Sequence, residues 1–292
     1  MQETLLGHTL QDDKEGWYFV YFGLGIGVKL KKSTKVFQVS EAGEFFGKYL
    51  LKNITDEEKQ GRVLEIGTGS GALAILAKAI GCQDVTATDI DESFINIARL
   101  NSEWNETMEY KINNSSVCSA KIKFVVSDLF NSSFFLDKTE EAQKWNLIFF
   151  NPPGWQTPKD SNLKLRLKID SGSLYHTMFD GEKLTLMFLQ QARKYLKYRG
   201  RILIGLNSMV GIGSILCKYR KWEKEQNIPP LQFSLKDQKE IKLSLYHEIW
   251  EENRELIVSE IQKWNRNDQY LFKEKDDDFF WNYDIVEAKF PE

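Results

Sequence analysis

The stretch Val63-Leu-Glu-Ile-Gly-Thr-Gly-Ser-Gly-Ala-Leu-Ala-Ile75 constrains the fold more than any other part of the chain. A short apolar run enters three alternating glycines, Gly67, Gly69 and Gly71, and an apolar helix-forming run leaves them. Glycine has no Cβ, so such a loop turns tightly and lets a ligand press against the backbone. The helix that opens there aims free N–H groups and its positive dipole end at that ligand. A strand, a glycine loop and a helix in this order are the first unit of an open, mostly parallel α/β sheet.

Two ligand classes fit this string. Gly67-x-Gly69-x-x-Ala72 satisfies the dinucleotide pattern, with Asp89 placed where a ribose-binding acid is expected. The competing pattern, acid-x-Gly-x-Gly-x-Gly, is filled by Glu65, Gly67, Gly69 and Gly71. It resembles motif I of the class I methyltransferases, which bind S-adenosylmethionine (SAM). Glu65 favours the second pattern. A pyrophosphate gains nothing from a carboxylate inside the strand, whereas SAM brings an ammonium and a sulfonium for it to attract.

Downstream, strand-like and helix-like patterns alternate. Strands are expected at 63–66, 84–89, 121–126, 145–150 and 201–206, and helices at 72–80, 91–101 and 184–196. Their continuous apolar runs suit strands buried on both faces. Ahead of them, residues 1–39 read as β-rich, with strands at 17–22 and 27–32. A helix follows, N-capped by Ser40, with Glu41 and Glu44 in its first turn. Beyond 206 the pattern loosens into a helix at 212–225, a long helix at 243–264, and a terminal strand at 281–290 antiparallel to the fifth. The expected organisation is an N-terminal β-rich extension and helix (1–55) and a Rossmann-like domain (56–292) with a helical C-terminal elaboration.

The fourth expected strand runs into Asn151-Pro152-Pro153-Gly154-Trp155. In an open α/β sheet, ligands bind beyond the carboxyl ends of the strands, where strand order reverses. The fourth strand should lie beside the first, so Asn151 is expected to face the cofactor. A dehydrogenase has no use for Asn-Pro-Pro there, but an enzyme that methylates a planar nitrogen does. The lone pair of an amide or nucleobase amino nitrogen is drawn into the adjoining π system, which makes it a poor nucleophile. Two acceptors on its two N–H bonds, the Asn151 side-chain oxygen and the Pro152 carbonyl, would orient it and favour pyramidalisation. Proline stiffens such a loop through its locked φ.

Glu65-x-Gly-x-Gly-x-Gly, Asp89, Asp128 and Asn151-Pro-Pro, in that order, resemble the Asn-Pro-Pro-type amino-methyltransferases. Within them the layout is similar to the HemK/PrmC-like glutamine methyltransferases, over roughly residues 36–206. The resemblance implies a class I fold and SAM as cofactor. It implies that Glu65, Gly67, Thr68, Gly69 and Gly71 cradle SAM, with Asp89 and Ile90 at its ribose and Asp128 and Leu129 at its adenine. Asn151, Pro152 and Pro153 would form the catalytic corner, with Asn151 also close to the cofactor. The fourth position of that motif is usually Tyr or Phe. Here it is Gly154, with Trp155 next, so these two are the expected substrate-facing residues.

That reading makes the chain a SAM-dependent N-methyltransferase, acting first on a glutamine-like protein amide. The alternatives are an RNA or DNA base amine, a small molecule, or a silent SAM-binding subunit of a partner. A formal charge of −3 advertises no basic field for nucleic acid. The basic cluster Lys159, Lys164, Arg166 and Lys168 points the other way, so the acceptor stays open between protein and nucleic acid. The aromatic N-terminal hairpin suits a packing or dimer surface, which leaves room for a homodimer or a partner subunit. Three scattered cysteines and His8, His176 and His247 have no metal-ligand spacing, and no metal is expected. The apolar run at 17–28 is short, holds three glycines and lacks a basic flank, so neither a membrane span nor a signal peptide is expected. A cytoplasmic home follows.

Overall fold

The computed structural model describes residues 16–33, 36–106, 121–152, 154–156, 181–243, 253–264, 272–275 and 278–291. The chain divides into two units, one of residues 1–149 and 195–200, the other of 150–194 and 201–292.

The first unit opens with an antiparallel hairpin, β1 (Trp17–Gly23) and β2 (Ile26–Lys31). Helix α1 (Glu41–Asn53) starts at the expected cap, where Ser40 Oγ accepts the Gly43 N–H at 3.2 Å. A short helix α2 (Asp56–Gln60) follows, unread in the sequence although Thr55-x-x-Glu58 signals it. Its capping box is closed in both directions, Glu58 N–H to Thr55 Oγ1 at 3.2 Å and Thr55 N–H to Glu58 Oε2 at 2.8 Å. Then come β3 (Arg62–Ile66), α3 (Ala72–Ala79), β4 (Asp84–Asp89), α4 (Glu92–Glu106), β5 (Lys123–Val126) and β6 (Trp145–Phe150). Their order across the sheet is β5-β4-β3-β6, with β3, β4 and β5 parallel. The expected neighbours β3 and β6 are therefore adjacent. Every residue of α3 except Lys78 is buried, so this helix is apolar all round and forms the centre of the core.

Helix α4 runs past the expected end at 101. The apolar rhythm stops at Ala98, but Asn101, Ser102 and Asn105 continue the buried face with polar side chains. The two asparagines serve the backbone of β2. Asn101 Oδ1 accepts the Lys31 N–H at 2.8 Å; Asn105 accepts the Lys29 N–H at 3.0 Å and donates to the Lys29 carbonyl at 2.7 Å. Buried backbone groups left without partners are costly, and two asparagines remove that cost here.

The second unit holds α5 (Gly181–Tyr195, its last residue in the first unit), the later part of β7 (Leu196–Asn207), α6 (Ile212–Glu225), β8 (Gln232–Lys242), α7 (Arg254–Trp264), β9 (Lys273–Lys275) and β10 (Asp278–Lys289). The expected terminal strand is β10. It pairs antiparallel with β7, with Tyr283 opposite Asn207 and Ile285 opposite Gly205. Strand β8, nearly all exposed and rich in charge, carries no period that the sequence could show, and it is held by pairing with β10. Of the long helix expected at 243–264, α7 supplies the part from Arg254; Leu243 stands outside it, its N–H taken by the Phe279 carbonyl at 2.7 Å as the chain leaves β8. Residues 244–252 lie outside the described residues. Among the described residues no helix is long and apolar enough to cross a membrane.

Candidate active site

In the first unit, the ends of β3, β4 and β5 bring one group of expected residues together. Gly67, Gly69 and Gly71 have φ of +66°, +53° and +83°, a region that side chains disfavour. A Cβ on Gly71 would also lie 2.9 Å from the Ala98 Cβ, so α3 packs on α4 only because that position is bare. Thr68 and Gly71 close the loop through N–H bonds to the Thr88 and Thr68 carbonyls at 2.8 and 2.9 Å.

Glu65 sits beneath this loop with 3% of its surface exposed. Its Oε2 accepts the Thr68 hydroxyl at 2.6 Å, and the Ala74 N–H also donates to its carboxyl. Ala74 is in the first turn of α3, and Gly71, the N-cap, has no side chain with which to serve it. Glu65 therefore caps the helix from the strand behind. Burial pushes its carboxyl up to about 8, so it holds a proton at neutral pH unless a cation comes near.

Asp89 ends β4 and ties down the loop. Its Oδ2 accepts the Gly69 N–H at 2.9 Å and its Oδ1 the Asp91 N–H at 3.3 Å. Burial raises its pKa despite these donors. The helix cap is supplied by Asp91, whose Oδ1 accepts the Ser93 N–H at 2.7 Å, so Asp89 is not spent on that role. Ile90 follows with 65% of its surface exposed, a large apolar side chain at the mouth of the loop. Asp128 is exposed just after β5, and Leu129 holds a strained φ of +50° with its side chain buried. An acidic pair, an uncovered apolar side chain and a bare glycine floor suit a nucleoside with a cationic tail. Asp89 retains lone pairs for hydroxyl donors.

Two braces behind the loop were not visible in the sequence. Asn101 donates to the Ser70 carbonyl at 2.8 Å, and the Tyr18 hydroxyl accepts the Val39 N–H at 3.2 Å while also bonding Ser70. Both tie the N-terminal hairpin to the glycine loop.

The second unit carries the other group. Asn151 and Pro152 are half-buried; Pro153 lies outside the described residues. Asn151 Oδ1 accepts the Tyr283 hydroxyl at 2.6 Å. Gly154 is explained by its neighbour: a Cβ there would fall 2.0 Å from Asn207 Nδ2, so Asn207 fills the space a larger residue would need. Asn207 Oδ1 is buried and has no hydrogen-bond partner among the described residues. Trp155 is 5% exposed, and its carbonyl accepts the Gly181 N–H at 2.9 Å, so in this structure it is a packed residue rather than an open platform. His8, His176, His247 and the basic cluster at 159–168 lie outside the described residues.

The family model for ribosomal protein L11 methyltransferase (PrmA) matches residues 49–132, the span that builds the glycine loop, Asp89 and Asp128. A Methanocaldococcus jannaschii protein provisionally named a protein N5-glutamine methyltransferase is 29% identical over 187 residues, 63% of this chain and 79% of that relative. The release factor glutamine methyltransferase of Rhodopirellula baltica is 27% identical over 178 residues, 60% of this chain and 54% of the relative. This chain is a class I SAM-dependent methyltransferase. The methyltransferase shares its fold with the SAM-dependent methyltransferase from Agrobacterium tumefaciens, at a TM-score of 0.51 and 12% identity over 97% of this chain and 72% of the other. SAM is its cofactor, and the bare glycine floor fits that ligand.

Proposed function

We propose that this methyltransferase transfers the methyl group of SAM to the side-chain amide nitrogen of a glutamine residue in a protein. The observation that carries the reading is the Asn151 carboxamide, half-buried on an Asn-Pro corner with its oxygen tethered by Tyr283. The similarity supports the same acceptor. The L11-type match ends at residue 132, ahead of Asn151, and says nothing of what is methylated. An alignment covering 60% or more of 292 residues must take in Asn151, and the Methanocaldococcus jannaschii and Rhodopirellula baltica relatives, which align that far, are both named for glutamine.

When bound, SAM supplies an electrophilic methyl carbon on a sulfonium. The glycine loop and the dipole end of α3 hold its amino-acid end, with Glu65 beneath them. Asp89 takes the ribose hydroxyls, and Ile90, Asp128 and Leu129 surround the base. Asn151 Oδ1 and the Pro152 carbonyl accept the two N–H bonds of the glutamine amide, leaving its lone pair free to attack. These oxygens also stabilise the positive charge that develops on nitrogen. The methylated nitrogen is then acidic and releases a proton to water, so no strong general base is required.

The test is the fate of the label when cell extract is incubated with this protein and methyl-labelled SAM. Label in protein that acid hydrolysis converts to methylamine supports the reading, because hydrolysis of an N-methyl amide frees its amine. Label confined to nucleic acid or to metabolites overturns it.

A further inference from the structure

The Asn-Pro corner is held by a residue from the far end of the chain. Tyr283, on β10, donates its hydroxyl to Asn151 Oδ1 at 2.6 Å. The surrounding backbone keeps room for that hydroxyl. A Cβ on Gly205 would lie 1.6 Å from the Tyr283 oxygen, so β7 is bare under the phenol. Asn207, opposite Tyr283 in the β7–β10 register, fills the space beside Gly154.

We infer that Tyr283 is a positioning residue for methyl transfer, locking the Asn151 carboxamide with its oxygen available to the acceptor amide. This inference rests on the glutamine-amide reading of Asn151. A primary amide can turn about its last torsion and exchange oxygen for NH2. The turned form would offer N–H donors to an acceptor nitrogen that itself carries N–H donors. A phenol is a good donor and a poor acceptor, since its lone pair leans into the ring, so Tyr283 favours the productive form. The carbonyl oxygen has two lone pairs, one for Tyr283 and one for the substrate. Burial holds the Tyr283 hydroxyl well above its ordinary pKa, which keeps it protonated and donating.

The experiment compares the full-length wild-type protein with Tyr283→Phe, Asn151→Ala and the double variant, using labelled SAM and the methyl-accepting protein fraction from extract. In Tyr283→Phe the SAM affinity and unfolding midpoint should stay near wild type, while kcat falls about tenfold, the worth of one orienting hydrogen bond. In the Asn151→Ala background the same change should cost nothing further. Wild-type kcat in Tyr283→Phe, with Asn151→Ala inactive, overturns the inference and leaves the glutamine reading standing. Wild-type kcat in Asn151→Ala removes both. Should Tyr283→Phe fail to fold, 4-fluorophenylalanine at position 283 fills the hydroxyl's space without a proton to donate; kcat should again fall about tenfold, and wild-type kcat contradicts the role.

Discussion

The cofactor region and the acceptor corner are built on opposite plans. Around SAM, the acidic side chains sit at or just beyond the ends of β3 and β4, and the groups that donate to them lie three, twenty and two residues away: Thr68 on Glu65, Gly69 on Asp89, Ser93 on Asp91. Around Asn151, the partner is Tyr283, 132 residues away, and the shape of Gly154 is set by Asn207. A site of the first kind is written in one stretch and survives wide divergence elsewhere. A site of the second kind can be retuned by changes in a distant strand while its motif stays the same.

The contrast can be broken most strongly at Asn151. Asn151→Ala should lower kcat by about 100-fold or more with little change in SAM affinity, as for loss of a preorganised transition-state contact. Steady-state rates beside calorimetric titration with SAM would check this, and a parallel loss of SAM affinity would blur the division between the two regions. Asp89→Ala should do the reverse. It removes a buried acceptor from the Gly69 N–H and from the ribose, so SAM affinity should fall about tenfold or more by titration.

The fit at Gly154 gives a smaller effect. Gly154→Ala should destabilise by about 1–3 kcal/mol, the usual cost of overpacking, because its Cβ meets Asn207 Nδ2. Asn207→Ala in the same chain should relieve most of that cost in denaturant unfolding. A cost left unrelieved would mean that something other than Asn207 keeps position 154 small.

The smallest effect is a pH slope confined to the cofactor region. The pKa of Glu65 is raised in the folded protein from 4.5 to about 8, so its proton stabilises the fold below 4.5 and that stability is lost as pH rises towards 8. Asp89, also raised by burial, contributes with the same sign. Thermal midpoints of wild type should fall across this window, and Glu65→Gln should flatten the slope. Because a nearby cation favours ionised Glu65, SAM affinity should rise over the same range in wild type and much less in Glu65→Gln.

How legible each region was follows from the same contrast. The glycine loop, the cap at Ser40 and the strands of the first unit were readable because local spacing determines them. The extension of α4 was hidden because its buried face turns polar at Asn101 and Asn105, where no hydrophobic period could mark it. Strand β8 was hidden because its stability comes from pairing with β10 rather than from burial. Tyr283 was hidden because nothing near it in sequence announces Asn151. One trace of it was present: a lone glycine, Gly205, inside an apolar strand marks the close approach of another group.

The most direct test of the account is methyl transfer to a glutamine-containing acceptor protein, scored as methylamine released by acid hydrolysis, for wild type and Asn151→Ala at saturating SAM. Wild type should release labelled methylamine and the variant almost none. Methylamine from both proteins, or from neither while the label appears on a nucleobase, would contradict it.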